Sequence, residues 1–274
     1  FPCPLHAKSD AEVHGVRPAL LQPNVTLLTN AMAVRLVTNP AGSAVTEVEV
    51  DHEGERQTFS SDIVVVSCGA ANTAKLLLAS ANDRHPNGLA NGSDQVGRNF
   101  VFHNSQAVLA LSHEPNPTVF QKTLGVNDFY FGTENDFPMG NIQMVGKSTE
   151  EMYRGEKPLE TKLAPTRALR EVATHAVDFW LSTEDLPRPD NRVTVERDGS
   201  IRLSYEVGNQ AASDRLYHQL KSMLGHLGMH PDHLIPRHAY LKTEIPVAGA
   251  AHQAGTCRFG SDAATSALDV NRRA

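Results

Sequence analysis

Ala251 to Gly260 reads AHQAGTCRFG and holds the residues best suited to chemistry: His252 stands just before a small, flexible turn built from Gly255, Thr256 and Cys257. Imidazole takes and gives protons near neutral pH, so a histidine at such a turn is poised for acid–base work. Against it stands the ordinary reading of a loop histidine satisfied by hydrogen bonds. Cys257 and His252 could also pair as a thiol nucleophile and its base. Five residues apart in a glycine-containing loop, however, nothing makes them face each other, and no oxyanion signature accompanies them. Cys257 reads instead as a small buried cysteine.

A second group of histidines, His226, His230, His233 and His238, has a spacing that can put imidazoles on one metal ion, as in a metal-dependent hydrolase. No glutamate follows His226 as H-E-x-x-H requires, and Gly225, Gly228 and Pro231 break the helix that would hold His226 and His230 rigid. A solvated helix terminus without a metal is the expectation. A non-catalytic binding module would use neither histidine group.

Composition narrows the partners. With 274 residues, 40% of them hydrophobic and 20% charged, the chain has the makeup of a globular protein of one large or two small domains. Its net charge of −6 gives no footprint for nucleic acid, whose phosphates need concentrated Lys and Arg, so a small-molecule ligand is expected. No apolar run approaches the roughly 20 residues that span a bilayer. Cys3, Cys68 and Cys257 are far apart and odd in number, so neither a disulfide framework nor a zinc knuckle is written here.

The elements that must position His252 follow from periodicity. Asn24 to Val50 carries short β-branched runs separated by Asn-Pro-Ala-Gly-Ser, which predicts an antiparallel meander. Phe59 to Ser67 predicts a buried strand around Ile63 to Val66; Cys68-Gly69-Ala70 then leads into a leucine-rich helix from Asn72 to Ala81. A strand running through glycine into a helix is a doubly wound unit, whose ligands sit beyond the strand ends. His85 to Gln95 predicts a loop, and a boundary follows near Phe100. Beyond it, strands are expected at 105–111, 179–182, 192–196 and 203–205, and a helix at 210–227 with Leu216, Leu220, Met223, Leu224 and Leu227 on one face. The mixed charges of Thr149 to Arg170 predict a solvated surface or a mobile loop.

AHQAGTCRFG is similar to the H-x-x-G-T-C-R-x-G segment that carries the catalytic histidine of glucose–methanol–choline (GMC) oxidoreductases, flavoenzymes that take a hydride from alcohols and sugars. Three further segments resemble that family in its own order. Asn24 to Leu36 resembles the strand pair that meets the FAD adenine, with Ala33 at the contact position. SDIVVVSCGAANTAKLLLAS, Ser61 to Ser80, resembles the family's second signature, a strand, a small-residue turn against the flavin and a leucine-rich helix. VGRNFVFH, Val96 to His103, is similar to the V-G-R-N-x-x-x-H run that leaves the FAD domain for the substrate domain. The opening CPLHAKSDA also resembles a C-P-x-x-A-K-S segment of bacterial members.

The resemblance implies an α/β chain, α+β overall. A partial, doubly wound FAD-binding domain (1–99, resumed at 249–274) would enclose an inserted substrate domain (100–248) built on a mainly antiparallel sheet and helices. It implies FAD as cofactor, with Ala33, Cys68, Gly69, Ala70, Asn99, Gly255 and Thr256 in contact with it, and His252 as the acid–base residue of an alcohol or sugar dehydrogenase or oxidase. His103 and Asn104 would either approach the flavin or tie the domain junction to backbone. LSTEDLPRPDNRVTV, Leu181 to Val195, resembles the E-x-L-P-x-P-x-N-R-V segment of sugar- and polyol-oxidising members. Electrons would leave to oxygen, a quinone or a haem subunit.

The sequence contains no G-x-G-x-x-G, which the family uses to hold the FAD pyrophosphate, and it stops before the N-P-x-x-T segment that carries the second catalytic residue. The expectation is of the middle and late part of a longer enzyme, inactive alone, whose residues do not say whether it works in cytoplasm or periplasm.

Overall fold

The computed structural model describes residues 5–120, 122–133, 136–156, 161–227, 234–236 and 252–274. They form two compact units, one of Phe1–Val66 with Leu76–Leu89, the other of Ser67–Lys75 with Ala90–Ala274.

In the first unit a π-helical turn, Glu12–Val16, runs into Arg17–Ala19. The expected meander follows as β1 (Ala31–Thr38), β2 (Val45–His52) and β3 (Glu55–Ser60), antiparallel in that order. Asn39 closes the first turn: its Oδ1 accepts the Ser43 amide at 2.9 Å and its own amide donates to the Ala44 carbonyl. Glu53 and Gly54, both at positive φ (52° and 87°), make the second turn, which is the two-residue geometry that matches strand twist. A register shift between Ala33 and Arg35 marks a bulge in β1. Helix α1 (Gly69–Ala79) supplies Leu76 and Leu77 to the core, and Ser80 just beyond it receives the Leu36 amide on its hydroxyl at 2.9 Å.

One expectation here is corrected. Ile63 to Val66 pairs with no strand among the described residues, and Ile63 and Val65 are 77% and 78% exposed instead of buried. An apolar run becomes a strand only when neighbours take its amides and carbonyls, and β3 has already ended at Ser60.

The second unit is built on a five-stranded antiparallel sheet, in which β4 (Asn104–Leu111), β5 (Gly125–Val126), β6 (Asn141–Met144), β7 (Ala176–Thr183) and β10 (Leu234–Pro236) lie in the order β10-β4-β7-β6-β5. Before β7 come α2 (Glu150–Glu156) and α3 (Thr166–His175); after it come the hairpin β8 (Arg192–Val195) and β9 (Ile201–Ser204), then α4 (Gln210–His226). One face of α4 follows its spacing, with Leu216, Leu220 and Leu224 buried against Val108, Ala110, Ile142, Phe179 and Leu181 of the sheet, whereas Leu227, expected on the same face, caps the helix and is exposed.

Among the described residues, much of 149–170 is helical, so of the two expectations it is the solvated surface and not the mobile loop that the structure shows. Glu150 and Arg170, oppositely charged and joined at 2.9 Å, bring α2 and α3 together. α3 then passes into β7 without a connecting loop, and this is why periodicity found only the second half of that strand. Among the described residues no helix is long and apolar enough to cross a membrane.

Candidate active site

The site is assembled from three stretches distant in sequence and within one unit. The run Val96 to Phe102 is held from both sides. The Gly97 amide donates to the Thr256 carbonyl at 2.8 Å, the Val193 amide donates to the Gly97 carbonyl at 2.8 Å, and the Phe100 amide donates to the Asn191 carbonyl at 2.9 Å. Val101 and Ala254 exchange both backbone bonds, at 3.1 and 2.9 Å, as an isolated antiparallel bridge.

Between these ties the chain turns sharply. Asn99, buried, and His252, exposed, are both left-handed, with φ of 60° and 59°. Few non-glycine residues adopt that region unless surrounding contacts impose it. Gly255 has φ of 94°, and a Cβ placed on it would overlap the Asn99 carbonyl oxygen. Only glycine permits so close an approach of two backbones.

The remaining cofactor candidates meet the same turn. Thr256 is 1% exposed, and its hydroxyl donates at 2.8 Å to the Ala70 carbonyl in the first turn of α1. The Cys68 amide is taken by the Thr73 hydroxyl at 3.1 Å, and Gly69, at φ 79°, has no atom within 4 Å of where its Cβ would stand. Small residues at a helix start with open space in front of them form a cradle that a flat ring or an anionic group can fill. Cys68, Gly69, Ala70, Asn99, Gly255, Thr256 and His252 therefore all lie in the second unit, linked through the bonds just given. Ala33 lies in the other unit, at the bulge of β1.

The imidazole of His252 stands against that of His103, with ring centroids 4.9 Å apart and planes at 84°. His103 Nδ1 is 3.9 Å from a Glu184 carboxylate oxygen. The sequence had singled out His103 through the V-G-R-N-x-x-x-H run and had quoted Glu184 within E-x-L-P, but nothing in either motif foretold that His103 stands between His252 and Glu184. The bridge between Val101 and Ala254 brings His103 to His252, and the pairing of Asn104 with Thr183 brings Glu184 to His103. The neighbour Asn104 is turned the other way. It is buried, with its amide oxygen 3.3 Å from the Tyr205 hydroxyl, which itself lies 2.8 Å from Asp185.

Beside Asn99 a pocket of about 410 Å³ is lined by Asp94, Arg98, Pro189 and Arg258 among others. Asp94 is bonded to both Arg98 and Arg192, and these hydrogen bonds hold its carboxyl below the usual carboxylate range. Burial pushes the Cys257 thiol up, so at neutral pH it stays protonated, which counts against the nucleophile reading. His226 sits on the last turn of α4, with Nδ1 2.7 Å from the Ser222 carbonyl of its own helix. His230, His233 and His238 lie outside the described residues, among which no group of three or more His, Cys, Asp or Glu could hold a metal ion.

Residues 1–105 match the family described as GMC oxidoreductase. The large subunit of fructose dehydrogenase from Gluconobacter japonicus is 26% identical over 75% of the chain, and paromamine 6'-oxidase from Streptomyces fradiae is 26% identical over 97% of it. The chain spans 40% and 48% of the lengths of these two relatives, about half of each. Among solved structures, pyridoxine 4-oxidase from Mesorbium loti aligns over 96% of the chain and 52% of its own, with a TM-score of 0.53 and 18% identity. A formate oxidase from Aspergillus oryzae, described in terms of FAD modification, aligns over 87% of the chain and 52% of its own, with a TM-score of 0.53 and 14% identity. The match over residues 1–105, the relatives and the shared fold all make the GMC oxidoreductases the family to which this chain is similar.

Proposed function

We propose that this chain serves an FAD-dependent oxidoreductase acting on a CH–OH group of an alcohol, sugar or polyol, with His252 as the acid–base residue. The observation that carries this reading is the packing of the Gly255–Thr256 turn on both the first turn of α1 and the Asn99 backbone, which leaves the His252 ring exposed beside His103. FAD, where bound, supplies the two-electron acceptor for a hydride. Cys68, Gly69, Ala70, Asn99, Gly255 and Thr256 would hold its ring end; for Ala33, in the other unit, an adenine contact remains what the resemblance implies.

The residues of the chain handle the proton. Oxidising CH–OH to C=O breaks two bonds to hydrogen: the C–H bond loses its hydrogen with the electron pair, and the O–H bond loses a proton. Unless that proton departs, the product carries a positive charge on its carbonyl group, so a base must stand at the hydroxyl. His252 takes the proton and later returns it to solvent from its exposed position. In this reading 1–99 and 249–274 belong to the cofactor-binding domain and 100–248 to the substrate domain. The segment at Glu184 and the names of the relatives, which point to fructose and paromamine, support a sugar-like or polyol donor. Comparing reoxidation by oxygen, by quinones and by a haem protein separates oxidase from dehydrogenase.

The test is anaerobic stopped-flow reduction of the FAD-loaded protein, expressed from its whole reading frame, by a panel of alcohols, sugars and polyols. His252→Ala is expected to keep FAD and slow reduction by about two to four orders of magnitude, the range for losing a positioned acid–base group. His226→Ala is expected to reduce at the wild-type rate. Unslowed reduction in His252→Ala, or a folded protein that never takes up FAD, overturns the proposal.

A further inference from the structure

Arg98 and Arg258 reach one cavity because of a single backbone bond. The Gly97 amide donates to the Thr256 carbonyl at 2.8 Å, so Arg98 stands one residue past the tie on one segment and Arg258 two residues past it on the other. Both line the cavity of about 410 Å³ beside Asn99, together with Ser93, Asp94, Gln95 and Thr265. That volume lies in the range of sites for small organic ligands. Of the residues proposed to hold the flavin only Asn99 lines it, so the cavity stands beside the flavin cradle and not in it.

The charges around this cavity do not balance. Arg98, Arg258 and, bonded to Asp94, Arg192 bring three cations against the one carboxylate of Asp94, an excess of two positive charges. That carboxylate is taken by Arg98 at Oδ2 and by Arg192 at Oδ1, and leaves Arg258 without an acidic partner among the described residues. Carboxylates of the neighbouring loops are engaged elsewhere, Asp262 with the Ala264 amide and Glu206 with Arg188, both at 2.9 Å, and Asp190 does not line the cavity. Nor are the donors used up. Of the five N–H groups of a guanidinium, Arg258 spends one, from Nε to the Thr265 carbonyl at 2.8 Å, and its terminal nitrogens meet no acceptor among the described residues. Arg98 spends three: Nε on the Asp94 carbonyl at 2.8 Å, Nη1 on the Pro189 carbonyl at 3.1 Å and Nη2 on Asp94 Oδ2. These bonds fix Arg98 in place and leave one N–H on each of its terminal nitrogens.

We infer that this cavity binds a phosphate group, clasped between the fixed guanidinium of Arg98 and the open fork of Arg258. A phosphate carries about −1.5 to −2 charges at neutral pH and matches the excess, whereas a carboxylate matches half of it. Its oxygens accept the paired N–H bonds that a planar guanidinium offers. Ser93 and Gln95 in the wall are polar neighbours for the remainder of a phosphate ester. Because one arginine belongs to the segment 96–102 and the other follows Thr256, a bound phosphate also braces the junction at Gly97. The proposed oxidation of CH–OH does not use this cavity, and the inference does not rest on it.

The test is isothermal titration calorimetry of the FAD-loaded protein, expressed from its whole reading frame, with inorganic phosphate, glycerol 3-phosphate, acetate and glycerol at one fixed ionic strength. Saturable binding is expected for both phosphate compounds, at least about tenfold tighter than for acetate and absent for glycerol. Equal affinity for the two assigns the site to free phosphate, and a tighter ester assigns it to phosphate monoesters. Arg258→Gln should weaken both phosphate compounds by about tenfold or more, and Arg258→Lys, which keeps the charge but loses the fork, by less. Arg202→Gln, at an exposed arginine of β9, should change nothing. Circular dichroism checks that each variant is folded. Phosphate should raise the thermal midpoint of the wild type and not that of Arg258→Gln.

No saturable binding of either phosphate compound by the wild type overturns the inference, and so does acetate that binds as tightly as phosphate. A folded Arg258→Gln variant that keeps the wild-type affinity removes Arg258 from the site, and an equal loss in Arg202→Gln reduces the effect to net charge; either result sinks the proposal. None of these outcomes bears on flavin reduction by alcohols, so a failure here leaves the proposed function standing.

Discussion

The two left-handed glycines of the site, Gly255 and Gly69, differ in what surrounds them, and this difference makes a quantitative experiment. Both have φ between 79° and 94°, so replacing either by alanine brings the left-handed penalty, about 1–2 kcal/mol. At Gly69 that is the whole cost, because its Cβ would meet nothing within 4 Å. At Gly255 the Cβ overlaps the Asn99 carbonyl oxygen, a backbone atom that cannot rotate away, so the turn must move. Forced displacement in a packed region adds about 1–3 kcal/mol. Gly255→Ala should therefore lose about 2–5 kcal/mol and Gly69→Ala about 1–2.

Urea unfolding followed by Trp180 fluorescence reads both, since β7 belongs to the same unit as the two glycines. With a urea slope of about 1–3 kcal/mol per molar, the variants' midpoints should differ by on the order of 1 M. Equal midpoints would refute the claim that the Gly255 turn is pressed onto Asn99.

Three further outcomes are expected. Leu220→Ala, which removes a 1% exposed side chain from the contact of α4 with the sheet, should cost about 2–5 kcal/mol in the same urea experiment; a loss under 1 would mean that the helix packs loosely. Asp94 loses its proton at lower pH when folded than when unfolded, so its contribution to stability is present above the ordinary value of 3.8 and disappears as pH falls through the lower folded value. The stability gap between wild type and Asp94→Asn should thus be widest at neutral pH and close below the carboxylate range. A gap that persists in acid would show that charge is not its origin. Finally, Cys68 is exposed whereas burial holds the Cys257 thiol protonated, so iodoacetamide at neutral pH followed by peptide mass spectrometry should find Cys68 alkylated first. Faster labelling of Cys257 would reopen its reading as a nucleophile.

Residues whose patterns report a local fact were legible in the sequence. The spacing of Leu216, Leu220 and Leu224 has one helical solution, and α4 runs as expected. The turn residues after Thr38 and the β-branched runs around them announced β1 and β2. Elements whose form depends on distant partners were not legible. Ile63 to Val66 has strand composition but no ladder, while Asn141 to Met144, with two amide side chains in four residues, is a strand because β7 and β5 flank it. The Thr149 to Arg170 stretch did not announce its helices, because only tertiary contact shows which residues turn inward. At the site, the motif around His252 gave its chemistry and the small residues before α1 gave a cradle. The approach of His103 to His252 followed from two backbone bonds between Val101 and Ala254, and a hydrogen bond between residues so far apart leaves no mark on either segment.

Gly97 has a kinetic consequence for the whole site. Its amide and its carbonyl are bonded to Thr256 and to Val193, so a single residue closes loops of about 160 and about 100 residues, each at a cost in chain entropy that grows with the logarithm of loop length. Contacts of such sequence separation carry a large loop-closure cost, so they are expected to form after the local contacts of the sheet and α4. Damage to this junction should therefore leave the folding rate nearly untouched and appear as faster unfolding. On that expectation His252 acquires its place last, and a weakened junction would cost the site before it costs the fold.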